Sequence, residues 1–161
     1  VTARERFEEL VRRHYRAVLT YARATTSVRI AEDAVQETFL RAWRYFDSFR
    51  GEGSFEGWLI RICRRCIIDL VEREQRSGAT ELTNLTKSHH TPQTAYVETM
   101  MLIETLDPHH REVVALCGML GYDYESAARI LDVPVGTVRS RLSRARALLV
   151  RELEDSAEGT A

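Results

Sequence analysis

The residue types that do covalent or metal chemistry are few here and poorly arranged for it. Cys63 and Cys66 form a C-x-x-C, a spacing used for metal or redox work. Both, however, fall inside one helically periodic apolar segment, with no second cysteine pair and no strand leading into the helix. They are expected to be packed thiols, and Cys117 stands alone. His89–His90 and His109–His110 are adjacent pairs whose rings point apart, so each is expected to be solvated and neither to hold a metal. No Ser-His-Asp set, carboxylate pair or G-x-x-x-x-G-K-[ST] can be assembled from neighbouring positions. The expectation is a protein without catalytic activity, cofactor or small-molecule substrate. One stretch has a different kind of chemistry. In "VPVGTVRSRLSRARALL", residues 133–149, arginines alternate with small residues and acids are absent. Arg139, Arg141, Arg144, Arg146 and Arg151 follow one another without an Asp or Glu, in a chain of net charge -1. Such a block marks a solvated face or a polyanion partner.

The elements that must carry this stretch are helical. The chain has 161 residues, 44% hydrophobic and 29% charged, enough for one moderate core or two small ones. No apolar run reaches the ~18 residues of a membrane span, and "VTARERFEEL" is charged where a signal peptide would be apolar. A cytoplasmic protein with no membrane insertion is expected. Alternation never persists, and apolar residues recur at three and four, so the fold class is all-α. A first helix is predicted over about 3–24, with Phe7, Leu10, Val11, Val18 and Ala22 inward. A second runs over about 30–46, with Ala31, Val35, Thr38, Phe39, Ala42 and Phe46 inward. A third follows "FRGEGSFEG" and turns Phe55, Trp58, Leu59, Ile62, Cys66 and Leu70 inward. These make one small bundle over 1–76.

Residues 77–95, "SGATELTNLTKSHHTPQTA", are polar and aperiodic, and read as a flexible linker able to span up to about 60 Å. A second bundle is expected over 96–155. In it a helix reaches Leu106, Asp107 and Pro108 open the next, and Gly118 or Gly121 ends that one. Asp123 then caps a short helix, 124–131, and "DVP" leads to a longer one over about 135–153. This spacing is that of a helix-turn-helix, with Ala128 small at the close approach and Asp132 at the turn position that often requires a left-handed backbone. On a wheel of about 100° per residue, Val138, Leu142, Ala145 and Leu149 face inward. Opposite them lie Gly136, Arg139, Ser140, Ser143 and Arg144, a basic and flat face open to a duplex backbone or base edge.

The first bundle has two further polar faces. Opposite the core stripe of the second helix lie Asp33, Gln36, Glu37, Leu40 and Arg44, flanked by Glu32 and Trp43. A leucine inside a charged rim has the pattern of an interface patch, although a single exposed leucine is also ordinary. On the third helix Asp69 can pair with Arg65 or Arg73, and Arg61, Arg64 and Arg76 add positive charge. The loop from Phe49 to Ser54 sets two glycines beside aromatics, a pattern that suits an unstacked base as well as it suits a chain turn.

Together "AEDAVQETFLRAWRYFDSF", "GWLIRICRRCIIDLVERE" and "LDVPVGTVRSRLSRARALL" resemble bacterial sigma factors of the extracytoplasmic-function type, in the sigma-70 family. Residues 7–76 resemble region two and residues 96–153 region four. The resemblance implies a promoter-specificity subunit. Asp33, Gln36, Glu37, Leu40 and Trp43 would bind the clamp helices of the largest subunit of core RNA polymerase. Phe49, Arg50, Ser54, Arg61, Arg64 and Arg65 would capture and melt the minus-ten element of promoter DNA, and Thr137, Arg139, Ser140, Ser143 and Arg144 would read the minus-thirty-five element. Region four would also hold the flap tip, and an anti-sigma factor is the implied regulator. Arg65 stands where the family usually has asparagine, and Ser143 occupies a variable reading position. Two other readings fit the residues alone: a plain operator-binding regulator, and a helical adaptor with a general polyanion anchor.

Overall fold

The computed structural model describes residues 1–78 and 94–159. The described residues are helical, without a strand, and the chain divides into two compact units, Val1–Thr83 and Asn84–Ala161. Of the segment expected to be a linker, 79–93 lies outside the described residues, as do His89 and His90; Ser77 ends one helix, and Thr94 and Ala95 begin another.

Unit 1 is a three-helix bundle. Helix α1 (Ala3–Thr25) starts at a reciprocal cap, in which the Thr2 hydroxyl accepts from the Glu5 amide at 3.2 Å and the Glu5 carboxylate accepts from the Thr2 amide at 2.7 Å. Helix α2 (Val28–Arg44) is capped by Ser27, earlier than the apolar period predicts, and stops before Phe46. Phe46 opens a short 3-10 turn, Phe46–Ser48, because the chain must bend there to reach α3 (Phe55–Ser77). The inward side of α3 also differs from the predicted stripe. Leu59, Ile60, Cys63, Cys66 and Ile67 are buried, while Ile62 and Leu70 are only half-buried. A helix packed between two others needs a wider apolar face than a single stripe, which draws in Ile60, Cys63 and Ile67. The fully buried Tyr21, Leu59 and Val18 form the centre, each large side chain contributing roughly 1.5–3 kcal/mol. His14 Nδ1 lies 3.0 Å from Glu56 Oε2, tying α1 to the start of α3, and Arg29 pairs with Glu74 at its far end.

Unit 2 begins with α4 (Thr94–Glu104). Arg111 closes the end of α4 and the turn after it, its Nη2 donating to Glu104 O and its Nε to Leu106 O, each at 2.8 Å. Asp107 caps α5 (Pro108–Val113), with Pro108 at its first position, and the helix widens into a π turn over Val114–Met119. Gly118 lies inside that turn; the reversal itself falls at Gly121, whose φ of 74° is left-handed. His110 corrects the expectation of a solvated ring: its side chain is largely buried, with Nδ1 3.0 Å from Asp107 Oδ2, whereas His109 is exposed. Helix α6 (Tyr124–Leu131) runs between the predicted limits, and Asp132 takes the left-handed turn at φ 53°, ψ 52°. Helix α7 (Val135–Glu158) is longer than predicted, extending through Glu154, Asp155 and Glu158. Ile103, Val113, Leu116, Ile130, Leu131, Val138 and Leu142 close an aliphatic core.

Candidate functional site

In unit 1 the outward side of α2 is held up by rings beneath it. Trp43 packs on Phe7 at 5.1 Å, Phe7 on Phe46 at 5.2 Å, Phe46 on Phe55 at 6.0 Å, and Phe55 on Phe49 at 5.2 Å and Trp58 at 5.3 Å. These tilted and edge-on contacts fix the helix, the turn and the loop relative to one another. On this support Leu40 is 58% exposed and Trp43 46%. Asp33 and Gln36 are exposed beside them, and Glu37 is half-buried. Between α1 and α2 a groove of about 1110 Å³ is lined by the apolar Val11, Tyr15, Leu19, Phe39, Leu40 and Trp43 together with the charged Arg4, Glu8, Arg12, Arg23 and Glu32, so Leu40 belongs to an apolar group with charged residues around it.

Loop 49–54 is shaped by Gly51 and Gly53, both left-handed at φ 75° and 77°. Phe49 folds onto Phe55 and Trp58. Ser54 caps α3, its oxygen accepting from the Gly57 amide at 2.9 Å, and Arg50 is exposed. Further along α3, Arg61 and Arg65 are exposed and Arg64 is half-buried. Asp69 pairs with Arg65 at 3.3 Å, as the spacing allows, but its closer partner is Arg41 of α2 at 3.0 Å. Arg41 also donates to Glu37 at 2.8 Å. Glu37, then Asp69, hold the Arg41 guanidinium even more firmly protonated than usual. Arg41 was not among the predicted site residues. Its i,i+4 spacing from Glu37 was a readable signal, whereas its reach to Asp69 depends on packing between helices.

Cys63 and Cys66 are fully buried beside Thr38, whose hydroxyl donates to Ala34 O at 2.6 Å. Burial pushes the Cys63 thiol up to about 12 and raises Cys66 as well, so both are neutral packing groups at ordinary pH. Among the described residues no cluster of His, Cys, Asp and Glu could hold a metal ion, and no helix is long and apolar enough to cross a membrane.

In unit 2 the turn at Asp132 delivers α7 with Val138, Leu142 and Ala145 buried and Gly136, Arg139, Ser140, Ser143 and Arg144 exposed. Thr137 is half-buried in the first turn, and Ser140 donates to its carbonyl at 3.1 Å, leaving the serine lone pairs outward. Among the described residues Arg139 and Arg144 form no ion pair. Pro134 supplies no side-chain acceptor to the first amides of α7, so the helix start adds positive field to the arginines. The face can bind anionic groups and offer paired donors to a base edge.

Residues 10–77 match sigma-70 region 2, and residues 96–149 match sigma-70 region 4. The chain belongs to the sigma-70 family, in its extracytoplasmic-function group. It is 35% identical over 152 residues to the ECF RNA polymerase sigma factor SigM of Mycobacterium tuberculosis, spanning 91% of this chain and 76% of that one. It is 34% identical over 151 residues to the ECF RNA polymerase sigma factor SigE of Mycolicibacterium smegmatis, covering 87% of this chain but only 58% of the relative's length. Among solved structures, the sigma factor RpoE of Bartonella quintana, in complex with the anti-sigma factor NepR, superposes with a TM-score of 0.77 at 26% identity, covering 93% of this chain and 98% of that one. Within the sigma-70 frame, α2, loop 49–54 and α3 lie in the region 2 match, and the helix-turn-helix of α6 and α7 lies in the region 4 match.

Proposed function

We propose that this chain is a dissociable promoter-specificity subunit that directs core RNA polymerase to promoters and assists their melting, without catalysis of its own. The observation that carries the reading is that one chain exposes two surfaces of opposite character: an apolar anchor at Leu40 among acids, and an acid-free arginine face on a helix-turn-helix. The first suits a protein partner and the second a polyanion. Asp33, Gln36, Glu37, Leu40 and Trp43 would meet the polymerase clamp helices, and unit 2 the flap tip. Thr137, Arg139, Ser140, Ser143 and Arg144 would read the upstream element. Phe49, Arg50, Ser54, Arg61, Arg64 and Arg65 would hold the melting strand downstream, with stacking worth about 1–3 kcal/mol per base offsetting the loss of pairing. Residues 1–76 and 96–155 would act as two reading modules joined through 77–95, so that one contact raises the effective concentration for the other. The work is cytoplasmic, and the similarity to a sigma factor held by an anti-sigma factor supports regulation by such a partner.

Run-off transcription with purified core polymerase tests this. Specific initiation that depends on the chain is expected, and Leu40→Arg should weaken core binding by about thirtyfold, as for an interface hot spot, with the helical spectrum unchanged. Tight operator binding without initiation would favour the plain regulator instead.

A further inference from the structure

Four charged side chains form a line from α2 to α3. Glu37 Oε1 accepts from Arg41 Nε at 2.8 Å, Arg41 Nη1 donates to Asp69 Oδ2 at 3.0 Å, and the other oxygen of Asp69, Oδ1, lies 3.3 Å from Arg65 Nε. The middle pair is the more sheltered, Arg41 at 29% and Asp69 at 27% exposure, while the ends reach solvent, Glu37 at 38% and Arg65 at 72%. The buried Cys66 thiol lies within electrostatic reach of Glu37, Arg41 and Asp69, which places the middle pair against a low-dielectric floor. Each middle group is shared: Arg41 serves two carboxylates, and Asp69 serves two guanidiniums.

We propose that this line couples the partner-binding face of α2 to the nucleic-acid face of α3, with Arg41 and Asp69 as positioning residues. A partner that engages Glu37 draws it from Arg41. Arg41 then concentrates on Asp69, and the hold of Asp69 on Arg65 weakens. Arg65, released from its carboxylate, becomes available to a phosphate of the melting strand. In the free chain the reverse holds, and Arg65 is kept partly neutralised. The coupling is reciprocal, so DNA on Arg65 strengthens the grip of the partner on Glu37. This deepens the proposed function and rests on its assignment of α2 to polymerase and Arg65 to DNA. It also gives Arg65 a role that an uncharged residue at that position would not have.

The test uses the full chain, without polymerase, and a short fluorescein-labelled single-stranded DNA at low salt, read by anisotropy. Glu37→Gln imitates withdrawal of the carboxylate at a half-buried site that reaches solvent, and should keep the fold. It should tighten DNA binding about two- to fivefold, the range of an exposed ion pair, and Asp69→Asn should act in the same direction. In an Arg65→Gln background the gain from Glu37→Gln should vanish. An equal gain with and without Arg65 would reduce the effect to general charge removal and overturn the coupling. No gain, or no measurable binding by wild type and Glu37→Gln alike, would also overturn it. If Arg65→Gln alone binds as tightly as wild type, the assignment of Arg65 to DNA fails, which is a separate failure from that of the coupling.

Discussion

The two units solve the problem of displaying a binding surface in opposite ways. Unit 1 pairs Glu37, beside its apolar anchor, within the unit through Arg41, Asp69 and Arg65, and stiffens the backbone from below with linked rings. Unit 2 has an aliphatic core and leaves Arg139 and Arg144 without an ion pair among the described residues. The difference follows from the partner each surface suits. A protein surface must be desolvated to bind, and a rigid apolar anchor beside an already paired Glu37 lowers that cost. A polyanion supplies the counter-charge itself, so internal pairing would only compete with it.

The largest expected effect breaks the equivalence of the two cores. Leu59→Ala empties a fully buried position in unit 1 and should destabilise it by about 2–5 kcal/mol. The two tryptophans, Trp43 and Trp58, both belong to unit 1, so a denaturant titration followed by tryptophan fluorescence reports this loss directly. A shift below 1 kcal/mol would mean the ring array, rather than the aliphatic centre, carries the unit.

Next in size is the unpaired surface of unit 2. Arg139→Ala should weaken binding to the preferred upstream element, in the polymerase-bound state, by about 1–3 kcal/mol if it contacts a base edge. An equal loss on all sequences would make it a phosphate contact. If about five arginines of α7 neutralise phosphates, the log-log salt slope approaches about -4.5.

The smallest effects are those read by pH. Burial raises Cys63 from 9.0 to about 12, so the unfolded chain ionises this thiol first. Its stabilising contribution to unit 1 is intact below pH 9.0 and declines as pH rises toward about 12, which alkaline titration of tryptophan fluorescence should reveal. In unit 2 the backbone amide of His110 holds Asp107 below its ordinary 3.8, and that of Ser126 does the same for Asp123. These caps are complete above pH 3.8 and lost as pH falls through the lower folded values, so helicity should decline on acidification. Asp107→Asn, which retains capping without a charge, should blunt that decline in circular dichroism.

What was legible in the residues is what is local. The caps at Asp107 and Asp123, the limits of α6, the left-handed Asp132 and the outward Leu40 all follow from spacing within a turn or two. Three features were not legible, because each depends on which side of one helix meets another: the burial of His110, the tie of His14 to Glu56, and the reach of Arg41 to Asp69. The inward side of α3 is legible only in part for the same reason: Leu59 and Cys66 are buried as the period predicts, and Ile60, Cys63 and Ile67 join them. A wheel describes one helix against one plane, and α3 has two neighbours. Of the residues proposed to touch DNA and polymerase, most are legible as exposed faces, Glu37, Phe49, Arg64 and Thr137 being half-buried, and the resemblance to the family supplies their roles.

The length of α7 has an electrical consequence. Four of its five arginines occupy the first half of the helix and Glu152, Glu154, Asp155 and Glu158 the last turns, and the peptide dipole has the same sense. Over 24 residues, about 36 Å, this makes a rod with its poles separated along the axis. Near a phosphate chain such a rod experiences a torque as well as an attraction, and is turned amino end first before any hydrogen bond forms.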